Sequence, residues 1–439
     1  MSEVTGVRRS PDDDADRRAP SDGGPPDDGR TPDGSPPRGS LRLLVDPVFG
    51  PFFVGKLLST AGIWIYNIVA AILAYELSGS AFVVGLVSVA QFGPQLLFAP
   101  LSGAVADRGD RRRQVVVGQL ISAFGAGGLA VWVALVGVEG LPGAWPVIAA
   151  AFVVGIGFVV NGPAMNALLP SLVRPNELAP AVALNAVPFT LARAGGPAIG
   201  AVIAASTGPA TAFALAAATK VGFALLLVTL PLRRPRRHRP GADRRIRAGI
   251  RYLREDPSVL LLLTGVAAIG VGADPVITLT PALSASLGAG GTLVGVFASS
   301  FGVGAGIAFL VLGVLRRRIG QERIAAVGLT LLATGIAAAG VSPTAGLAIA
   351  AFVVGGAGMT MSLTSLSTLI QERLPEELRG RVMALWSVAF LGSRPLAAAV
   401  NGAVADATSP MVAHLMVAAL VAAVAVWVRP ARLARAAAR

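Results

Sequence analysis

Hydrophobic positions along the chain fall into twelve long runs separated by short polar connections. From residue 49 onward, apolar stretches of about 20 or more residues follow one another, each long enough to cross a ~30 Å hydrocarbon core as a helix. We place these spans, numbered 1 to 12, at 50–76, 81–105, 114–137, 145–169, 180–205, 209–231, 258–283, 291–315, 322–341, 345–370, 381–404 and 409–429. The pattern predicts an all-α polytopic membrane protein.

Composition agrees with this pattern and excludes several kinds of site. The 439 residues are 54% hydrophobic and only 14% charged, with a mean hydropathy of +0.69. A water-soluble core cannot hide that much apolar surface. The chain has no cysteine, which excludes disulfides and thiolate metal sites, and two histidines are too few for a His-based metal centre. It also lacks a phosphate-binding G-x-x-x-x-G-K-[ST] loop, which argues against an ATP-driven pump within this polypeptide. We expect no metal, no cofactor and no enzymatic activity.

The distribution of basic residues indicates topology. A net charge of +13 would suggest nucleic-acid binding in a soluble domain. Here the arginines collect in the connections after spans 2, 4, 6, 8 and 10, whereas connections 77–81, 138–144, 206–208, 284–290, 342–344 and 405–408 contain neither Lys nor Arg. By the positive-inside rule, we expect a multi-pass protein of the cell membrane with both termini on the cytoplasmic side. The basic connections would then lie next to the anionic inner leaflet. We expect no nucleic-acid partner.

Two repeated phrases indicate an internal duplication. The phrase AAFVVG at 150–155 recurs at 350–355, and P-x-E-L at 175–178 recurs at 375–378, both at an offset of 200 (350 − 150 = 200). Two matches in one register across a helical hairpin predict two six-helix halves in parallel orientation. Such halves usually bind substrate between them near the bilayer midplane and rock to give alternating access.

These observations divide the chain into five parts. Residues 1–45 are rich in Pro, Gly, Asp and Arg, and we expect a disordered cytoplasmic tail. The two helical bundles are predicted at 46–231 and 258–430. Between them, 232–257 is a basic cytoplasmic linker whose second part suits an amphipathic helix on the membrane surface. Residues 431–439 form a cytoplasmic C-terminal tail.

The loop between spans 2 and 3 carries a family resemblance. Its sequence, GAVADRGDRRR, resembles the signature G-x-x-x-D-R-x-G-R-R of the major facilitator superfamily, with Asp110 in place of the second glycine; the matching residues are Gly103, Asp107, Arg108, Arg111 and Arg112. The phrases LARAGGPAIGA and QERLPEELRGRVMALW are similar to the branch that contains enterobactin exporters and macrolide efflux pumps. The resemblance implies a monomeric transporter with spans 1, 4, 7 and 10 lining a central cavity.

The resemblance further implies a cytoplasmic gate. Asp107 is expected to pack against the start of span 11, near Glu377 and Arg381, where free N–H groups and the helix dipole favour an anion. The arginines of the loop would complete this gate, or serve only to fix topology. The duplicated position lacks an aspartate, so a second contact would use Arg316–Arg318 against Glu177.

A second short phrase, Gly196-Pro197-x-x-Gly200 in span 5, resembles the end of the signature of drug–proton antiporters. Glycine and proline here permit close helix contact and a kink. Ordinary tight helix packing explains the phrase equally well.

Charged residues inside spans are costly and indicate function. Arg193 in span 5 and Arg394 in span 11 are 201 positions apart (394 − 193 = 201), so they predict a basic centre suited to a polar or anionic group. Alternatively, each arginine braces a helix. For carrying protons, Asp274 is the first candidate, about 24 Å along span 7, and Glu76 the second. Asp406 is expected to be merely solvated.

The remaining cavity candidates are polar or adaptable side chains within the spans. Asparagine, glutamine and threonine provide hydrogen bonds, and methionine adapts to varied amphiphiles. These candidates are Asn67, Gln91, Gln95, Asn161, Asn166, Met361 and Thr364.

The sequence therefore predicts a secondary active transporter. Given the resemblance, we expect a proton-coupled exporter, an antiporter, of small amphiphilic drugs or siderophore-like metabolites. A non-pumping sensor or assembly protein of the same fold, and a proton-coupled importer, are the alternatives. Substrate-dependent proton movement separates a transporter from a sensor.

Overall fold

A computed structural model gives the fold of the protein. It describes the backbone at residues 40–108, 110–174, 177–232, 256–374 and 376–432. Within these ranges, the side chains at 40–41, 99–108, 376–381 and 384 lie outside the described part. The proposed amphipathic helix of the linker and most of both tails also fall outside it.

Within the described residues, twelve helices are long and apolar enough to cross a membrane, as predicted. We number them α1 to α12 in chain order. They are α1 Phe49–Ser78, α2 Ala81–Arg108, α3 Arg111–Val136, α4 Trp145–Leu168, α5 Leu178–Thr207, α6 Pro209–Thr229, α7 Pro257–Ala273, α8 Gly291–Ile319, α9 Gln321–Gly340, α10 Ala345–Arg373, α11 Glu376–Ala407 and α12 Pro410–Trp427.

The residues just before α1 are helical and packed. A short helix spans Ser40–Leu43, and the side chain of Leu43 is fully buried in a cluster with Phe49 and Phe52. Asp46 then accepts hydrogen bonds from the backbone N–H groups of Val48 and Phe49, which fixes the entry to α1. The last residues that we assigned to the N-terminal tail thus pack against the start of the first bundle.

The seventh span is a broken helix rather than one continuous run. α7 ends at Ala273, and two short helices, Pro275–Thr278 and Thr280–Ser286, continue the crossing. Pro275 has no N–H and its ring disfavours a regular helix through the preceding turn. Asp274, at the break, donates its own N–H to the carbonyl of Val271 at 3.2 Å instead of making the regular i−4 bond. The break places a carboxylate at a helix end inside the bundle.

Helix pairings recur between the two halves of the chain. α3 packs on α4 as α9 packs on α10, α1 packs on α5 as α7 packs on α11, and α3 packs on α6 as α9 packs on α12. The extensive contacts between the halves are α2 with α11 and α5 with α8, which also correspond to each other. This pattern supports the internal duplication.

The two ends of the bundle differ in charge. One end carries the connections 79–80, 137–144, 208, 287–290, 341–344 and 408–409, without Lys or Arg, and we call it the arginine-poor end. The other carries Arg111–Arg113, Arg174, Arg316–Arg318 and Arg373, and we call it the arginine-rich end.

Candidate functional site

A buried carboxylate lies at the break in α7. Asp274 is 1% exposed. Its Oδ2 accepts a hydrogen bond from Nδ2 of Asn401 in α11 at 2.7 Å, and its Oδ1 accepts one from Oγ1 of Thr278 at 3.0 Å. Both donors are themselves buried, so the acid, the amide and the hydroxyl form a polar cluster that joins α7 to α11. The charge of Asp274 within an apolar run predicted its importance, whereas nothing in the sequence pointed to either of its donors.

Arg394 lies near this cluster, between α11 and α2. Its guanidinium Cζ is 4.7 Å from the ring centre of Phe92 in α2, a cation–π contact. Its charge interacts with that of Asp274 without a direct ion pair between the two side chains. The Nε of Arg394 is buried and has no hydrogen-bond partner, so a donor remains available in the protein interior.

Arg193 occupies an aromatic cage in the other half. Its Cζ is 4.9 Å from the ring centre of Phe301 in α8 and 5.3 Å from that of Trp64 in α1. Its Nη2 contacts Sδ of Met359 in α10 at 3.2 Å. The side chain is 8% exposed, and its charge acts on that of Arg394. Four helices from both halves thus meet at one arginine.

The two arginines have equivalent surroundings. Arg193 stacks on Phe301 of α8 and Arg394 stacks on Phe92 of α2, in the two corresponding contacts between the halves. The structure therefore brings together the two charges that the repeat suggested. Their aromatic partners were missed, because nothing in the sequence shows which rings face a distant arginine.

A smaller polar group lies between α1 and α2. The side-chain amide of Gln91 donates through Nε2 to Oδ1 of Asn67 at 2.7 Å, and both side chains are buried. One turn further along α2, Oε1 of Gln95 is buried without a hydrogen-bond partner. These three cavity candidates are close together, as expected of residues on facing surfaces of α1 and α2.

Other cavity candidates lie away from this centre. Met361 packs in a cluster with Ala308 and Ile324, between α8 and α9. This placement corrects the prediction that Met361 lines the cavity. Met359, two residues earlier and on another side of α10, contacts Arg193 instead. Asn161 lies against Gly118 of α3, because a Cβ on that glycine would come within 2.8 Å of the Cβ of Asn161.

For two further cavity candidates, the structure gives the burial of the side chain. Asn166 is exposed near the arginine-rich end of α4, and Thr364 is half-buried in α10. Helical periodicity decides which face of its helix each residue occupies. How buried the residue is then depends on which neighbouring helix that face meets.

The phrase Gly196-Pro197-x-x-Gly200 mediates close packing of α5 on α1. A Cβ on Gly196 would lie 2.7 Å from the Cβ of Trp64, and one on Gly200 would lie 2.9 Å from the Cα of Ile65. The carbonyl of Pro197 faces Gly295 of α8. These residues therefore bring α5 against two helices at once.

The arginine-rich loop is described only in part. Asp110, which replaces the usual glycine, caps α3 by accepting the N–H groups of Arg112 at 2.9 Å and Arg113 at 3.3 Å. Arg111 donates through Nη1 to the carbonyl of Ala167 in α4 at 3.0 Å. Most of the predicted gate lies outside the part of the chain whose side chains the structure describes: Gly103, Asp107, Arg108, Glu377 and Arg381.

The proposed second contact of the gate is not formed in this arrangement. Glu177 is 2% exposed and accepts the backbone N–H of Arg174 at 3.2 Å. Arg316 instead pairs with Glu372 at 3.3 Å, and Arg373 pairs with Glu322 at 3.0 Å. Arg316, at the end of α8, thus pairs within its own half of the protein.

Two other charged residues, Lys56 and Glu76, lie in α1. Lys56 in α1 donates through Nζ to the carbonyl of Asn185 in α5 at 3.1 Å and also contacts its side-chain oxygen. This link between cavity-side helices was not predicted, although a lone lysine within a span was a signal. Glu76, the second proton candidate, is exposed in the last turn of α1, away from the buried cluster. The described residues contain no group of three His, Asp or Glu able to hold a metal ion.

Twelve apolar helices around a buried cluster of ionisable side chains define a polytopic membrane protein with an intramembrane functional centre. Comparison with known proteins specifies the class. The profile of the family described as "transmembrane secretion effector" matches residues 39–438. The chain therefore belongs to this branch of the major facilitator superfamily, and it is a membrane transporter rather than an enzyme.

Relatives of the chain include exporters. It is 27% identical to macrolide efflux protein A of Streptococcus pyogenes over 350 residues, covering 76% of this chain and 84% of that protein. It is 26% identical to the enterobactin exporter EntS of Salmonella choleraesuis over 381 residues, covering 84% of this chain and 88% of the relative.

Solved structures share the fold. A bacterial homologue of the lysosomal transporter Spinster matches with a TM-score of 0.67 at 16% identity, covering 91% of this chain and 95% of the homologue. A bacterial homologue of the iron transporter ferroportin matches with a TM-score of 0.68 at 16% identity, covering 89% of this chain and all of that one (100%). At these identities the likeness concerns the fold alone.

Proposed function

We propose that the protein is a proton-coupled exporter, an antiporter, of small amphiphilic drugs or siderophore-like metabolites that works by alternating access. The observation that carries this proposal is the carboxylate of Asp274, buried at a break in α7 and hydrogen-bonded across to α11. An acid inside a bundle is costly when charged and is retained where it serves a pathway. Asp274 is the proposed proton carrier, and the exposed Glu76 becomes the weaker candidate.

The position of Asp274 suits coupling between proton and substrate. Its partner Asn401 is in the same helix as Arg394, which also interacts with its charge and contacts Phe92 of the opposite half. A change in charge at Asp274 therefore acts directly on α11 at its contact with α2. A single proton crossing ~100 mV supplies about 2.3 kcal/mol, which supports a roughly 50-fold substrate gradient.

The side chains around Arg193 and Arg394 support a substrate that combines polar and apolar parts. Two guanidinium groups stand among the rings of Trp64, Phe92 and Phe301, and the amide of Gln95 retains a free acceptor. Aromatic faces bury apolar surface, whereas the few polar groups fix orientation. The proposed cavity includes Asn67 and Gln91, which pair with each other beside it.

The direction of transport is proposed from the relatives, because two of them are named as exporters. We place the arginine-rich end and both termini in the cytoplasm, on the positive-inside rule. The predicted gate at Asp107 would then close the cytoplasmic side.

Transport in inside-out membrane vesicles tests this function. A pH-sensitive dye follows proton movement while a macrolide, a catecholate siderophore and ethidium are each added. We expect at least one of these compounds to release protons from acidified vesicles containing the wild type, and Asp274→Asn to abolish the release. Glu139→Gln, which neutralises an exposed acid in the α3–α4 connection, serves as the matched control and is expected to behave as the wild type.

Three outcomes contradict the proposal. Normal coupled transport by Asp274→Asn would remove Asp274 from the pathway. Accumulation that survives an uncoupler would exclude antiport. Proton movement in the same direction as the substrate would make the protein a symporter, and therefore an importer under a physiological gradient.

A further inference from the structure

The last turn of α11 reaches across to the first turn of α2 at the arginine-poor end. Oδ1 of Asp406 accepts the backbone N–H of Ala81 at 2.7 Å, and its Oδ2 accepts that of Phe82 at 3.1 Å. The hydroxyl of Ser80 also donates to Oδ2 of Asp406. The expectation that Asp406 is merely solvated is therefore wrong, because it joins the two halves through three hydrogen bonds.

These bonds complete the N-terminus of α2. The first four N–H groups of a helix have no partner within the helix. In α2, those of Ala81 and Phe82 go to Asp406, that of Val83 goes to the hydroxyl of Ser80 at 3.2 Å, and that of Val84 goes to the carbonyl of Ser80 at 3.4 Å. Half of the donors at this helix end are thus satisfied by the opposite half of the protein, with a full negative charge at the positive end of the helix dipole.

The backbones of α2 and α11 touch directly below this contact. A Cβ on Gly402 would lie 2.5 Å from the carbonyl oxygen of Ala81, and one on Gly85 would meet the carbonyl of Ala398. The halves are therefore closed at the arginine-poor end, and opening that end requires the bonds of Asp406 to break.

The corresponding pair, α5 and α8, lacks this device. The position equivalent to Asp406, at the offset of the two arginines (406 − 201 = 205), is Ala205. The N-cap of α8, Gly290, makes no side-chain capping bond. Of the two contacts between the halves, the one between α2 and α11 therefore carries the capping acid.

We propose that Asp406 is the latch that holds the arginine-poor end closed in the transport cycle and releases the N-terminus of α2 each time that end opens. The assignment rests on the alternating access of the proposed function. α2 and α11 run antiparallel, so the carboxylate of Asp406 meets the start of α2 at one end of the pair, and that of Asp107 is predicted to meet the start of α11 at the other. Closure by one latch excludes closure by the other, because the halves rock about the centre.

Distance measurements between two spin labels test the latch. The chain has no cysteine, so Ser206→Cys in one half and Thr344→Cys in the other give one unique pair of labels at the arginine-poor end. The full-length protein is studied in nanodiscs without substrate or proton gradient. We expect Asp406→Asn and Asp406→Ala to increase the ratio of open to closed populations about two- to five-fold, the worth of an anion at an exposed helix N-terminus. Asp406→Glu should retain most of the closed population.

Salt separates the electrostatic latch from a merely structural role. Raising ionic strength from ~0.01 M to ~1 M shortens the Debye length from about 30 Å to about 3 Å, so the wild type should move toward the open distribution while Asp406→Asn and Asp406→Ala do not respond. Glu139→Gln removes an exposed charge at the same end and should leave the distribution unchanged. An unchanged distribution in both Asp406 variants, an equal salt response in all proteins, or an equal shift in Glu139→Gln would overturn the latch. None of these readouts depends on export. If the Asp406 variants shift the distance distribution but the wild type transports none of the tested compounds, the proposed exporter function is refuted and the proposed latch stands.

Discussion

At the scale of single residues, the buried charges of this protein are held by few and specific contacts. Asp274 has two hydrogen-bond donors, Asn401 and Thr278, whereas Arg193 is held mostly by two aromatic faces and a thioether. In a membrane interior, a polar group that loses its partner has no water to replace it. Each donor to Asp274 should therefore be worth more than an equivalent bond on the surface of the bundle.

Removing the hydroxyl of Thr278 measures this cost. Thr278→Val keeps the shape of the side chain but deletes the bond to Asp274, and we expect a loss of about 1–3 kcal/mol in stability, because a buried polar group is left short of a donor. Thr264→Val is the matched control in the same span, since Thr264 is exposed and bonds only to the carbonyl of Leu261. Thermal unfolding in detergent provides the comparison. Equal midpoints for the two variants would show that the hydroxyl contributes little.

At this scale, residue type and periodicity predicted part of the centre. Asp274, Arg193 and Arg394 were identified because charges within apolar runs are rare and conspicuous. Met361 was wrongly placed and Met359 passed over, because both methionines lie in one polar stretch of α10 and only the neighbouring helices show which of them faces Arg193.

At the scale of helices, small residues determine which helices approach each other. Gly196 and Gly200 bring α5 onto α1, while Gly85 and Gly402 bring α2 onto α11. Without a hydrophobic driving force in the bilayer, helix association depends on such close packing. The sequence showed many glycines within spans, but not which of them are contacts.

A pair of glycine substitutions in α5 distinguishes contact from open positions. A Cβ on Gly200 would lie 2.9 Å from the Cα of Ile65, so Gly200→Ala should cost about 1–3 kcal/mol through overpacking and reduce transport. The nearest atom to a Cβ on Gly195 is a flexible side-chain carbon of Ile199 at 3.7 Å, so Gly195→Ala should be neutral or slightly stabilising. Unfolding midpoints and export rates of both variants check this difference. Similar losses in both would show that α5 tolerates no added volume anywhere.

At the scale of the whole molecule, charge and packing define two different ends. The arginine-rich end carries the basic loops, and the arginine-poor end carries the contact of Asp406 with α2. If the arginine-rich end faces the cytoplasm, the structure shows the protein closed toward the outside.

Labelling of single cysteines checks this orientation. In intact cells, a membrane-impermeant maleimide should react with Glu139→Cys in the α3–α4 connection and not with Arg318→Cys at the end of α8, because only the former lies at the proposed outer end. Both positions are exposed, and the absence of native cysteine gives each variant one target. After the cells are broken open, both variants should react. The reverse pattern would invert the topology and, with it, the assignment of the two latches.

The sequence alone determined the number of spans, the charge asymmetry and the duplication, because each depends on composition and order along the chain and survives any packing of the helices. It also identified Asp274 as an intramembrane acid. Only the tertiary structure showed that Asn401 and Thr278 hold this acid, that Phe92 and Phe301 cover the two arginines, and that Asp406 caps α2. These contacts join residues more than one hundred positions apart in most cases, and their existence depends on which helix faces meet.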